Sequence, residues 1–285
     1  MTKRKSDFIL PTNSLDELFS SQEERDDAKL ERVKEIPLNE LHPFKDHPFK
    51  IQNDDEMKRL IESIQKFGTL TPALARPLPE GGYELISGHR RLAACQVLEF
   101  ETIPVIVREM SDDEAVIAMV DANLQREHIL PSEKAFAYKM KLDAIKHQGI
   151  ASSQVGKKLL SIEKVGEDSG DSRNQVHRYI RLTHLIPELL SMVDDGKIAF
   201  NPAVEISYLD QSEQRVLLNA MELNDCTPSH AQAIRLKKLS QEGVLQDQTI
   251  YDILAEQKPN QQEQYKFKRE DIRKYFPKSY TDKQV

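Results

Sequence analysis

GGYELISGHRRLAACQVL, Gly81 to Leu98, runs from a glycine turn through a short apolar strand and one further glycine into a helix. YELIS has the aromatic and branched residues of a strand, the PEGG turn precedes it, and the residues after Gly88 are helix formers. A strand that feeds directly into a helix is a building step of an α/β unit. Reading outward, TPALARP (Thr71 to Pro77) predicts the strand before the turn, and TIPVIVREM (Thr102 to Met110) the strand after the helix. VKEIPL (Val33 to Leu38) is a further strand. Between them NDDEMKRLIESIQKFG predicts an amphipathic helix, capped at Asn53, with Met57, Leu60, Ile61, Ile64 and Phe67 on its apolar face and Gly68 as its stop.

After Met110 the pattern becomes helical. SDDEAVIAMVDANLQ opens with a capping box at Ser111 and Glu114, and LPSEKAFAYKMKLDAIKHQG reads as a second long helix ending at Gly149. NPAVEISYL and TPSHAQAIRLKKL are expected to open on cap residues Asn201 and Thr227, each with proline at the first helical position. A short helix is expected over Ile250 to Gln257. The fold class is therefore α+β. Four segments are expected: a flexible arm over 1–30, an α/β domain over 31–125, an all-helical domain over 126–240, and an extension over 241–285.

The 285 residues carry a net charge of -7, which excludes a polycation that coats nucleic acid without selectivity. No apolar run has the length of a membrane span, and MTKRKSDFILPTNS lacks the apolar core of a signal peptide, so the expected compartment is the cytoplasm. Cys95 and Cys226 are far apart and neither has a CxxC neighbour. A disulfide framework or cysteine zinc site is not expected.

SIEKVGEDSGDSRNQVHRYIRL, Ser161 to Leu182, has the spacing of a helix-turn-helix. The first helix needs a small residue at the crossing, the turn needs a residue that tolerates positive φ, and the second helix needs an apolar plug. Gly166, Gly170 and Val176 fall at those places. The second helix would present Ser172, Arg173, Asn174, Gln175, His177, Arg178 and Arg181, with no acidic residue from Ser172 to His184. Arginine reads guanine bidentately, and asparagine or glutamine reads adenine, so this helix suits the major groove of double-stranded DNA. Arg181, farthest along it, is placed to reach phosphate. The alternative is a helical hairpin with a solvated arginine face.

GHRR, Gly88 to Arg91, sits at a helix N-terminus, where unpaired N-H groups and forked guanidinium donors suit phosphate. Alone, it reads as an arginine pair in surface ion pairs. DANLQRE, Asp121 to Glu127, is a second polar cluster, whose Asn123, Gln125 and Arg126 suit phosphate, base or Mg²⁺. Together the two suggest a nucleotide site, without the GxxxxGK[ST] loop of a P-loop NTPase.

GYELISGHRRLAA, IPVIVREMSDDEAVIAMVDANLQREHILPSEKAFAYKMK and SRNQVHRYIRLTHLIPELL, in this order, resemble the ParB-type partition proteins, a group that includes Spo0J, KorB and Noc. The resemblance covers Val33 to Leu239. It implies a ParB/sulfiredoxin-like α/β domain followed by a helix-turn-helix domain, and a homodimer that binds a palindromic, centromere-like DNA site. It further implies CTP with Mg²⁺, bound so that the dimer closes as a clamp on DNA, and a ParA-type ATPase as partner of the N-terminal arm. Location on a nucleoid or plasmid follows. Gly88, Arg90 and Arg91 map onto the first CTP motif with His89 between them, and Asn123, Leu124, Gln125 and Arg126 onto the second. Asn123 is the expected metal ligand, and Thr69 and Thr71, in the loop FGTLTPALARP, are expected nucleotide contacts.

Two positions depart from the family pattern. His89 stands where an acidic residue is common, and Ala122 stands where glutamate precedes Asn-Leu-Gln-Arg. Without those carboxylates the expectation is CTP binding and switching rather than CTPase turnover, and no catalytic residue is assigned. Asp121, about 100° around a helix from its neighbour, is no automatic substitute. Two alternatives stay open: a KorB- or Noc-like regulator with an inert pocket, and a ParB-like nuclease using His89 as acid or base. The end KFKREDIRKYFPKSYTDKQV does not read as a long apolar dimerisation helix.

Overall fold

The computed structural model describes residues 32–51, 53–126, 128–148, 165–166 and 170–256. The arm expected over 1–30, the stop at Gly149, most of the first helix of the helix-turn-helix and the end from Gln257 lie outside them. Five strands form one mixed sheet: β1 (Val33–Pro37), β2 (Leu41–Pro43), β3 (Ala73–Pro77), β4 (Tyr83–Ser87) and β5 (Thr102–Val107). Their order is β1-β5-β3-β4-β2, with β3/β5 and β2/β4 parallel and the β1/β5 and β3/β4 pairs antiparallel. The three strands read from TPALARP, YELIS and TIPVIV thus form the centre of the sheet.

Leu85 and Ile86 are adjacent on β4 and both fully buried, because each face of the sheet has its own core. Leu85 packs with Met57, Ile64, Leu92 and Cys95, from helices α1 (Asp55–Phe67) and α2 (His89–Val97). Ile86 packs with Met119, Leu124, Tyr138 and Leu142, from α3 (Asp112–Leu124) and α4 (Pro131–His147). The sequence reading needs two adjustments on α1. Its N-cap is Asp54, whose carboxylate accepts from Met57 N at 2.7 Å, rather than Asn53, and Phe67 is 66% exposed. The box at Ser111 and Glu114 forms as expected.

The chain divides into two compact units, 1–180 and 181–285. The domain boundary expected at 125/126 falls inside the second of the two cores, which continues through α4 to Val165 and Val176. The physical reason is that β4 buries Ile86 on a face that α3 and α4 cover together with Phe44 and Phe49.

The helix-turn-helix residues lie at the end of the first unit. Val165 and Gly166 are helical, Gly170 has φ +69°, and helix α5 spans Arg173–Leu182. Val176 is fully buried. A Cβ on Gly166 would lie 2.4 Å from Asp171 O and 3.1 Å from Val176 Cγ2, so the crossing admits only glycine without movement. All three positions play the parts their spacing predicts.

The second unit contains α6 (Pro187–Asp194), α7 (Phe200–Ile206), α8 (Gln211–Asn224), α9 (His230–Gln241) and α10 (Asp247–Ala255). Helix α7 begins at Phe200 with Ala199 as its N-cap, and α9 is capped by Ser229 in a box with Gln232, so Asn201-Pro202 and Thr227-Pro228 are not the caps expected. Buried Gln214 ties the unit together: its side chain donates to His184 O at 3.1 Å and Leu209 O at 3.0 Å, and accepts from Ile186 N at 2.8 Å. Gln232 donates to Ile253 O at 2.6 Å, which makes α10, expected in the extension, part of this unit.

Candidate functional site

The two polar motifs, more than thirty residues apart in the chain, converge. Gly88, His89, Arg90 and Arg91 share one recess of 370 Å³ with Ala122, Asn123 and Arg126. Next to it, a cleft of 850 Å³ also reaches Arg90 and Arg126, and is walled by Lys50, Asp54, Glu56, His128 and Glu133. The pleat explains the convergence: β4 delivers Gly88 at its end, while α3, packed on the face holding Ile86, delivers Asn123 at its last turn.

Gly88 is the N-cap of α2 with φ 106° and supplies no side-chain cap. A Cβ there would meet Ala73 Cβ at 2.9 Å and Arg91 Nη2 at 3.2 Å, so glycine lets the helix start close against β3. The first turn of α2 holds no acidic residue. Such an N-terminus favours anions.

The adjacent arginines have different partners. Arg90 donates from Nη1 to Glu56 at 2.9 Å and from Nη2 to Asp54 at 2.9 Å, while its Nε is buried without a partner. Arg91 donates from Nη1 to the backbone oxygens of Thr71 at 2.5 Å and Pro72 at 2.8 Å, and burial lowers its pKa. Arg126, whose guanidinium carbon is 5.5 Å from the centre of the Phe49 ring, has its pKa lowered first by burial and then by repulsion from Arg90. Two half-buried cations thus repel each other in one recess while one of them keeps a buried donor without a partner, an arrangement whose chemistry suits a polyanion.

His89 is buried, its ring 4.0 Å from that of His47, and its Nε2 accepts a long bond from Phe44 N at 3.5 Å. Burial, then His47 and Arg126, push its pKa down to about 3. It is a neutral packing group beneath the His42–Phe49 segment. Asn123 is buried and its amide donates to Met119 O at 2.8 Å. Asp121 is paired with buried Lys141 at 2.5 Å. Among the described residues no three His, Cys, Asp or Glu side chains gather as a metal site.

Thr69, Thr71 and Gln125 do not line either hollow. The Thr69 hydroxyl lies 3.5 Å from Cys95 Sγ, Thr71 uses its backbone oxygen, and Gln125 is exposed as the C-cap of α3. Sequence reasoning missed Lys50, Asp54, Glu56 and Glu133. The acidic run NDDE was visible, but read only as a helix start. Glu133 accepts from Lys50 N at 2.7 Å, a contact across 83 residues that no local pattern announces.

On α5, Ser172, Asn174 and His177 are exposed and Arg173, Gln175 and Arg178 half-buried. The Nε of Arg173 is buried without a partner. Arg181 belongs to the second unit, where its guanidinium lies 4.0 Å over the Tyr208 ring and bonds Ser207.

The model of the ParB N-terminal domain matches residues 22–124. Curated relatives extend the match into the helical region: a nucleoid occlusion protein of Listeria monocytogenes is 29% identical over 209 residues, which cover 73% of this chain and 67% of the relative. The chain belongs to the ParB family. A chromosome-partitioning protein Spo0J of Thermus thermophilus is 29% identical over 203 residues, covering 71% of this chain and 70% of that one. Among solved structures, C-terminally truncated ParB of Caulobacter crescentus complexed with CTP-γ-S is 27% identical, with a TM-score of 0.32, over 62% of this chain and 92% of that one. Among the described residues of this ParB-family chain no helix is long and apolar enough to cross a membrane.

Proposed function

We propose that this ParB-family chain is a site-specific DNA-binding partition protein whose hold on DNA is gated by CTP. The observation that carries the reading is the meeting of Gly88–Arg91 with Asn123 and Arg126 in one recess, in a chain whose α5 offers Arg173, Asn174, Gln175 and Arg178 for base readout. Arg90 and Arg126 hold the triphosphate, and the buried Nε of Arg90 is the unpaired donor that such an anion satisfies. Arg91 braces the Thr71–Pro72 backbone. Asp54 and Glu56 are engaged by Arg90 and Glu133 by the Lys50 amide, which leaves the Asn123 side-chain oxygen for Mg²⁺, so the ion arrives with the nucleotide rather than in a cage of its own.

A homodimer reading a palindromic, centromere-like site, association with a nucleoid or plasmid, and a ParA-type ATPase as partner complete the reading. His89, neutral and buried, and Ala122 stand where the family pattern has carboxylates, and Glu56, which does line the recess, is paired with Arg90, which supports switching over hydrolysis. A His89-dependent nuclease finds no support in that packing role.

Calorimetric titration with CTP tests the cleft. Arg90→Ala is expected to weaken CTP binding about 100-fold, as removal of a buried charge partner does. An unchanged affinity would show that the recess is not the nucleotide site. A second reading, a nucleoid or transcriptional regulator with an inert pocket, is favoured by the internal neutralisation of Arg90. It predicts no CTP binding by the wild-type chain, with or without a DNA duplex.

A further inference from the structure

Among the described residues of the turn ahead of α5, Asp171 carries a carboxylate at the start of the cationic helix, and that placement is costly beside a polyanion. Asp171 immediately precedes Ser172, the first of the residues expected to meet DNA. Two side chains of α4 converge on its Oδ2: the Tyr138 hydroxyl donates at 2.5 Å and Lys134 Nζ lies at 2.7 Å. Tyr138 is fully buried, and the Lys134 and Asp171 side chains are 18% and 20% exposed. The ammonium of Lys134 also lies 4.9 Å over the Tyr179 ring, and Tyr138 meets that ring edge-on at 5.8 Å. Helix α5 is therefore fastened to α4 at two places, just before its first turn and again at Tyr179.

The backbone of Asp171 shares in the same joint. Its N-H donates to Gly166 O at 3.2 Å, and its own carbonyl oxygen is the atom that forbids a Cβ on Gly166. Backbone and side chain together fix where the turn ends and α5 begins. Readout by bidentate side chains tolerates little error in that placement.

We propose that Asp171 is a positioning residue for DNA reading, with Lys134 and Tyr138 as the groups that hold it. This rests on α5 being the DNA-reading helix. Asp171 touches no base; it sets the angle at which Arg173, Asn174 and Arg178 are offered, and Lys134 neutralises a charge that would otherwise repel phosphate.

The Asp171→Asn variant separates positioning from charge, because the two predict opposite signs. Removing a negative charge beside DNA tightens binding to every duplex if charge alone matters. Loss of positioning instead weakens only sequence-specific binding. The probes are a duplex enriched by the wild-type protein from a randomised pool, and a scrambled duplex of equal length. Asp171→Asn is expected to lower the ratio of the two affinities about tenfold, with scrambled binding unchanged or tighter. Lys134→Met, which keeps the stem on Tyr179 but removes a cation, is expected to lower that ratio likewise while weakening scrambled binding as well, and Lys134→Arg to stay within twofold of wild type. Enriched-duplex binding that is unchanged or tighter in both Asp171→Asn and Lys134→Met overturns the proposal. Asn174→Ala is the control for the reading beneath it. If that change leaves enriched-duplex binding intact, or if no duplex is enriched at all, α5 is not the reading helix and both fall. If Asn174→Ala weakens binding while Asp171→Asn does not, only the positioning role fails.

Discussion

The recess at the end of β4 and the exposed face of α5 both depend on arginine, but they employ it differently. In the recess Arg90 already has two carboxylate partners, so an incoming anion must exchange with Asp54 and Glu56. Along α5 no acidic residue intervenes from Ser172 to His184, so a phosphate adds to the helix without competing with a carboxylate of that helix. Exchange makes the recess sensitive to the strength of internal pairs, whereas addition makes the helix sensitive to ionic strength.

The largest effect that would break this contrast lies at the helix crossing. Gly166→Ala places a methyl group 2.4 Å from Asp171 O and is expected to cost about 1–3 kcal/mol, read as a lowered urea midpoint. CTP affinity should stay near wild type. If the midpoint does not move, the tight crossing is not a constraint on the first unit.

A smaller effect follows from the buried imidazole. His89 has a folded pKa of about 3 against 6.5 unfolded, so between those values the unfolded chain binds the extra proton. Stability from this group is complete above pH 6.5 and is lost as pH falls toward 3, by up to about 1.4 kcal/mol per pH unit. The groups facing it, His47, Arg126 and the Phe44 amide, all disfavour its cation. Denaturant midpoints of wild type and His89→Gln should therefore converge as pH falls; parallel curves would mean that His89 is not held neutral.

The smallest effect sharpens the comparison most directly. The Glu56 side chain is 56% exposed, so its pair with Arg90 contributes less than about 1 kcal/mol. Glu56→Gln should tighten CTP binding about twofold to fivefold by calorimetry. Weaker binding would make Glu56 a helper of the anion rather than its competitor.

Local patterns were legible because local physics enforces them. Ser111 and Glu114 cap a helix wherever it packs, and Gly166, Gly170 and Val176 mark a crossing whose sterics depend on a few residues. The caps at Asn201 and Thr227 failed because tertiary packing extended α7 by two residues and Ser229 offered a complete box two residues later. The tie of β4 to α3 and α4 was illegible for a related reason: strand pleating commits Ile86 to a face that those later helices cover together with Phe44 and Phe49.

By itself, the sequence determined the α+β class, the strand-glycine-helix junction at Gly88, the helix-turn-helix and the two polar motifs, since each is encoded within about twenty residues by spacing and residue type. Only the tertiary structure decided what those motifs face. It gave Arg90 to Asp54 and Glu56, Arg91 to the Thr71 and Pro72 carbonyls, and Asp171 to Lys134 and Tyr138. The reason is that a charged side chain leaving water takes the nearest partner in space, and sequence distance does not measure that proximity.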